Sequence, residues 1–454
     1  MTFIHAGGGS GQFGAMLEAS AEERNARYNM AFDSPILTDR GEILAQFKKV
    51  RRNSQTLAAA LTPEDWMLQS MLEASPVKWN LAHTSWFFET FILKIYDGKY
   101  RTFHPKFNYL FNSYYNHIGK MHPRPERGLL SRPTAQEIID YRSYVDDAIA
   151  QFVEKAPDDD IARIAPLMAL GLAHEEQHQE LLLTDLKHAL YQNPLLPGVY
   201  EDADEDPGGD AMPVHWEKME GGICEIGWNG EGFAFDNEGP RHKVYLHPFE
   251  LACQPVTNAD YIAFIEDGGY ENPAHWLSDA WEAVQDHHWR APLYWRKAEE
   301  SWRAYSLFGE HAVNPYAPVC HVSFYEAAAY ASWADARLPT EFEWEAAASL
   351  FPLKGRFLED GKPAPPRPAS GDERLLQLYG DVWEWTASPY VAYPGYAPPG
   401  GAIGEYNGKF MSGQMVLKGG SRATPAGHMR VSYRNFFPPQ ARWQFSGFRL
   451  ARDC

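Results

Sequence analysis

Two histidines four positions apart, His174 and His178 in GLAHEEQHQELLLTDLKHAL, carry the clearest chemical signal in the chain. On a helix this spacing places both imidazoles on one face, one turn apart, where they can bind a single ion. Leu167, Leu170 and Leu181 share that face, so hydrogen-bonded core histidines would look the same. A third ligand would decide, and His83 in SPVKWNLAHTSWFFETF is the candidate, one turn after Trp79 and one before Phe87 on a second predicted helix. Three neutral imidazoles leave a divalent metal with open positions, as iron needs when it binds oxygen and substrate together. HEEQH also matches the HExxH pattern, in which Glu175 would be the general base of a zinc hydrolase. No further motif of such an enzyme follows it. A catalytically silent binding protein is the third reading open at this point.

A second group of chemical residues lies in FNYLFNSYYNHIGKMHPRPERGLLSRP. Tyr114 and Tyr115 can donate a proton or an electron beside a redox metal, and Arg124 and Arg127 suit bidentate recognition of a carboxylate. A packed loop with surface salt bridges would use the same residue types.

The elements that must position these groups follow from periodicity and caps. Helices are predicted near 40–60, 76–96, 134–155 and 161–191, a four-helix bundle with one long connection, 97–133. Ser75-Pro76 reads as N-cap and first helical position, Thr62-Pro63 as the start of a shorter helix, and Thr134 with Glu137 as a capping box. Residues 1–35 are Gly-rich and then polar, a loosely held extension, and the bundle occupies 36–192. The segment 193–211 collects Pro, Gly and acid and reads as a linker. The remainder, 212–454, holds twelve of the fifteen tryptophans and shows only short helical patterns, so much of its backbone is expected to be irregular or in short strands. Three helices are expected there, starting at Thr257, Ser323 and Thr340, each followed three residues later by an acid.

Composition narrows the function classes. With 60 Asp and Glu against 41 Lys and Arg, a net charge of −19, the chain would be repelled by nucleic acid and by anionic membrane surfaces. No apolar run is long enough to span a bilayer, and the N-terminus lacks a secretory pattern, so a cytoplasmic location is expected. Cys224, Cys253, Cys320 and Cys454 have no metal-ligand spacing and are expected to be reduced.

Taken together, these motifs resemble the sulfoxide synthases of ergothioneine biosynthesis, the EgtB family. KWNLAHTSWFFET and HEEQHQELLLTDLKHA are similar to the segments that bear the iron ligands in a DinB-like four-helix domain. FDNEGPRHKVYLHPFEL, PVTNADY, ARLPTEFEWEAAA, GDVWEWTASPY, LKGGSRAT and FSGFRLARD resemble the formylglycine-generating, sulfatase-modifying fold, which is C-type-lectin-like and rich in irregular structure. The fold class implied is multi-domain, α followed by α+β. Formylglycine-generating enzymes act through late cysteines, and VSYRNFFPPQARWQFSGFRL has none.

The resemblance implies an iron(II)- and O2-dependent oxidoreductase that joins a thiol sulfur to hercynine, N-alpha-trimethylhistidine, as a sulfoxide. It implies His83, His174 and His178 as metal ligands. Gln177 and Asn435 would hydrogen-bond hercynine, with Phe436 beside its trimethylammonium group. Phe437 stands where family members using gamma-glutamylcysteine carry an acid. The paired tyrosines and the HPRPxRG loop are similar to the cysteine-using subtype. That likeness implies Arg124 and Arg127 as binders of the thiol substrate's carboxylate and Tyr114 and Tyr115 as catalytic phenols. A selenoneine synthase, taking a selenosugar in place of cysteine, is the alternative within the same chemistry.

Overall fold

The computed structural model describes residues 39–201, 212–299, 301–371, 373–400, 404 and 406–454. The expected extension 1–35 lies outside the described residues, as does 202–211 of the expected linker.

Four helices form the first half: α1 (Arg40–Ala59), α2 (Val77–Phe88), α4 (Ala135–Lys155) and α5 (Asp158–Tyr191), with a short α3 (Phe107–Phe111) in the long connection. The Thr134–Glu137 capping box is present, because each partner satisfies a backbone N–H that the helix start would otherwise leave unpaired. Ser75 does not cap α2. Its N–H donates to Asp185, its hydroxyl accepts from Arg127, and the helix begins at Val77 with no side-chain cap. Thr62 and Asp65 do close on each other, around a single 3-10 turn, Asp65–Met67. The predicted helix to 96 continues past Phe88 as a π-helical turn, Glu89–Leu93, and a final turn, Lys94–Tyr96.

Apolar faces of the four helices meet in a core that includes Phe47, Trp86, Phe88, Tyr141, Val145 and Leu186. Gly171 sets the approach of α5 to α2. A Cβ there would stand 2.6 Å from a Phe88 ring carbon and 3.0 Å from one of Phe87, so a larger residue would push apart the two helices that bear the histidines.

Among the described residues, the second half is built from short strands in five small sheets. The largest runs in the order 435–437, 415–418, 383–389, 446–447. Helices α6 (Asn258–Glu266), α8 (Phe324–Trp333) and α9 (Glu341–Ala348) start at the three expected caps, each with its capping box. A fourth helix, α7 (Ser278–Asp286), has no side-chain cap, and no start signal announces it in the sequence. With little regular backbone, this half relies on buried charge pairs to join its segments. Arg449 grips Glu384 at 2.6 and 2.7 Å, Arg434 holds Glu341, and Lys418 holds Glu345.

The halves meet along α5, whose outer face is polar. Glu180 accepts from Trp383, Ser421 and Thr424, Glu176 pairs with His428, and Lys187 donates to His321. Among the described residues no helix is long and apolar enough to cross a membrane.

Candidate metal centre at the domain seam

His83 on α2 and His174 and His178 on α5 converge, with one nitrogen from each lying within 4.8 Å of the others. The Nε2 atoms of His83 and His174 are 3.1 Å apart. Two imidazole nitrogens bound to one ion at about 2.1 Å and at right angles would stand about 3.0 Å apart, so the spacing fits a shared ion. Two rings are also oriented as ligands need to be. His83 Nδ1–H donates to the Phe111 carbonyl at 2.6 Å, and His178 Nδ1–H donates to Asn80 Oδ1 at 2.8 Å. Asn80 is held in turn by the carbonyls of Ser75 and Pro76. Each contact fixes the tautomer that leaves the Nε2 lone pair facing the cluster. His174 Nδ1 has no such partner among the described residues.

Burial pushes all three imidazoles below their ordinary range, His174 to about 3, and mutual repulsion adds to this for His83 and His178. The cluster therefore presents neutral donors, the form that binds a metal. The ring of His83 is sandwiched between Trp79 (centroids 4.6 Å apart, 16° between planes) and Trp86 (5.4 Å, 17°). The Arg127 guanidinium lies over the outer face of Trp79, 3.3 Å from its centroid.

Glu175 faces away from the cluster into a closed ion network. It pairs with Arg51 at 2.8 Å and Arg142 at 2.9 Å and accepts from Ser54 at 2.6 Å. Burial alone would raise its carboxyl, but the two arginines outweigh that and bring it to about 2. A carboxylate engaged by three donors in the bundle interior is not poised to act as general base on a water at the histidines. The zinc-hydrolase reading of HEEQH is a coincidence of spacing.

The remaining predicted residues divide into groups. Arg127 is buried and donates to Ser75 at 2.8 Å, while its Nε has no hydrogen-bond partner among the described residues. Burial, with Arg124 nearby, lowers it to about 8, opposed in part by Asp185. Arg124 is exposed and donates to the Glu73 carbonyl. Tyr115 is fully buried against Trp86 and Phe91, with Tyr114 stacked on it at 4.7 Å. Tyr114 reaches Phe410, and Phe410 reaches Phe436, which lies flat on Tyr390 at 4.0 Å. Asn435 sits on the same strand as Phe436 and accepts its N–H.

Gln177 spans the seam. Its Nε2 donates to the Tyr433 hydroxyl at 2.8 Å, and its Oε1 accepts from Tyr406. Tyr433 in turn donates to His428 Nε2, and His428 Nδ1–H donates to Glu176. The Tyr406 ring stands edge-on to His174 at 5.7 Å and stacks on Phe235. Sequence reasoning missed Tyr406, Tyr433, His428 and Asn80. Asn80 was findable, three residues before His83 and so on a neighbouring part of the same helix. Tyr406 comes from an irregular segment that carries no periodicity.

Comparisons with known proteins agree with this two-domain description. The DinB superfamily matches residues 46–182, and the sulfatase-modifying factor enzyme 1-like domain matches 218–370 and 373–454. The hercynine oxygenase of Mycolicibacterium smegmatis is 34% identical over 416 residues, covering 84% of this chain and 91% of that protein. That of Mycolicibacterium thermoresistibile is 32% identical, covering 84% and 87%. The formylglycine-generating enzyme of Streptomyces coelicolor is 30% identical but covers 55% of this chain. Since the likeness to hercynine oxygenases runs through both domains, this oxidoreductase belongs to the hercynine oxygenase family, the EgtB family of ergothioneine biosynthesis.

Proposed function

We propose that the chain is an iron(II)- and O2-dependent sulfoxide synthase that joins cysteine sulfur to the imidazole ring of hercynine, giving hercynylcysteine sulfoxide. The observation that carries this reading is the cluster of three neutral histidines at a seam where both domains contribute polar and aromatic groups. His83, His174 and His178 would hold the iron, which when bound supplies one-electron chemistry with oxygen and a thiol.

The chain's own residues supply recognition and proton handling. Arg127 is a buried cation without a carboxylate partner among the described residues, and the carboxylate of cysteine would offset its desolvation, with Arg124 beside it. Gln177 is held by two phenols, so its remaining hydrogen-bonding capacity is fixed in direction towards hercynine. Asn435 would add a second polar contact, and Phe436 an aromatic ring for the trimethylammonium group. Tyr406, whose ring contacts a triad histidine, joins Tyr114 and Tyr115 as a phenol able to deliver a proton at the reacting sulfur.

The test is anaerobic loading with iron(II), addition of hercynine and cysteine, then oxygen, with products read by mass spectrometry. A sulfoxide conjugate is the expected product. Turnover only with a selenosugar or with gamma-glutamylcysteine would replace the donor, and no conjugate with any donor would overturn the reading.

A further inference from the structure

A cavity of about 460 Å³ lies behind α5, away from the histidine cluster. Its inner wall carries Lys187, nine residues and two and a half turns beyond His178, and so on the opposite face of the helix. Its size is that of a small-molecule site. Much of the wall is apolar, with Leu183, Leu293, Val313 and Phe445 among the lining residues. Among the described residues, the charged side chains that line it are Lys187, Arg367 and Arg422.

Lys187 is the most telling of these groups. It is 4% exposed, and its ammonium has no carboxylate partner among the described residues. It donates to His321 Nε2 at 2.7 Å and stands 4.7 Å from the Tyr294 ring centroid and 5.3 Å from that of Phe445. Burial lowers it to about 8. Two further buried polar atoms of the lining residues, Tyr294 Oη and Arg422 Nε, have no hydrogen-bond partner among the described residues. Tyr294 and His321 both hold left-handed backbone, φ 74° and 66°, a conformation that bulky residues adopt only when the surroundings impose it. A buried cation, unsatisfied donors and imposed backbone in one roomy cavity are features that packing alone does not require.

We propose that this cavity is a binding site for a small organic carboxylate with an apolar body, its carboxylate seated against Lys187 and its body against the apolar wall. The site is separate from the metal centre, and its occupation does not depend on metal. It joins the two domains through Lys187 and His321, so a bound anion would strengthen the seam by satisfying the lysine.

The test is calorimetric titration of the full chain, without added metal, with benzoate, phenylacetate and hexanoate, each beside its neutral amide. The expected result is that at least one carboxylate binds about tenfold or more tightly than its amide, and that Lys187→Met removes this preference. Ala312→Trp, on the exposed rim of the cavity, should block binding without touching the core. Arg127→Gln should leave it unchanged. The proposal is overturned if no carboxylate binds up to about 10 mM, if amides bind equally well, or if Arg127→Gln abolishes binding and so places the anion at the metal centre. Should Lys187→Met fail to fold, the amide comparison and Ala312→Trp decide the matter.

Discussion

His174 and Glu175 are adjacent on α5, yet they belong to different kinds of site. His174 is neutral and faces two other neutral rings, whereas Glu175 is charged and closed in by two arginines and a serine. One residue's rotation about the helix separates a cluster of neutral donors from an ion network that engages both oxygens of the carboxylate. A HExxH string therefore does not assign a base. What decides is whether the glutamate meets solvent or, as here, residues 124 and 33 positions away.

Breaking the closed side should have the larger effect on folding. Glu175→Ala leaves Arg51 and Arg142 buried without their shared anion and is expected to cost about 3–5 kcal/mol in urea unfolding. The same contact sets an acid limit. The folded Glu175 value, about 2, lies below the ordinary 4.5, so its contribution is present above pH 4.5 and is lost as pH falls towards 2. Glu175→Gln should flatten that part of the stability profile.

Breaking the open side should spare folding and remove function. His178→Gln is expected to lower iron(II) affinity by about 100-fold or more in equilibrium dialysis, while the unfolding free energy of the metal-free protein changes by less than about 1 kcal/mol. Asn80→Ala, which frees the His178 ring and also gives up the contacts of Asn80 with the Ser75 and Pro76 carbonyls, should lower affinity by about 10- to 100-fold. The smallest effect is expected for Tyr433→Phe. It removes one hydrogen bond from Gln177, worth about 1 kcal/mol, and should raise the KM for hercynine about fivefold with metal affinity unchanged.

Local signals in the sequence proved dependable where the physics is local. The capping boxes at Thr134, Thr257, Ser323 and Thr340 form because their partners are three residues away. The helical spacing of His174 and His178 carries through to the structure for the same reason. Ser75 was misread because its hydroxyl is taken by Arg127, 52 positions on, which no local pattern reveals. Tyr406 reaches Gln177 across 229 positions from an irregular segment, and α7 begins without a capping side chain. His83 could be placed on an apolar helix face, but its partnership with residues 91 positions away came from the family resemblance.

The polar outer face of α5 has a consequence for how the molecule is made. A bundle that folds first on the ribosome would show Glu176, Gln177 and Glu180 to solvent, a charged and hydrated surface rather than an adhesive one. When the second half arrives, Trp383, Tyr433 and His428 claim those same side chains, and only then is Gln177 fixed beside the histidines. The half-made chain would thus hold its three histidines before Gln177 takes its place between Tyr406 and Tyr433.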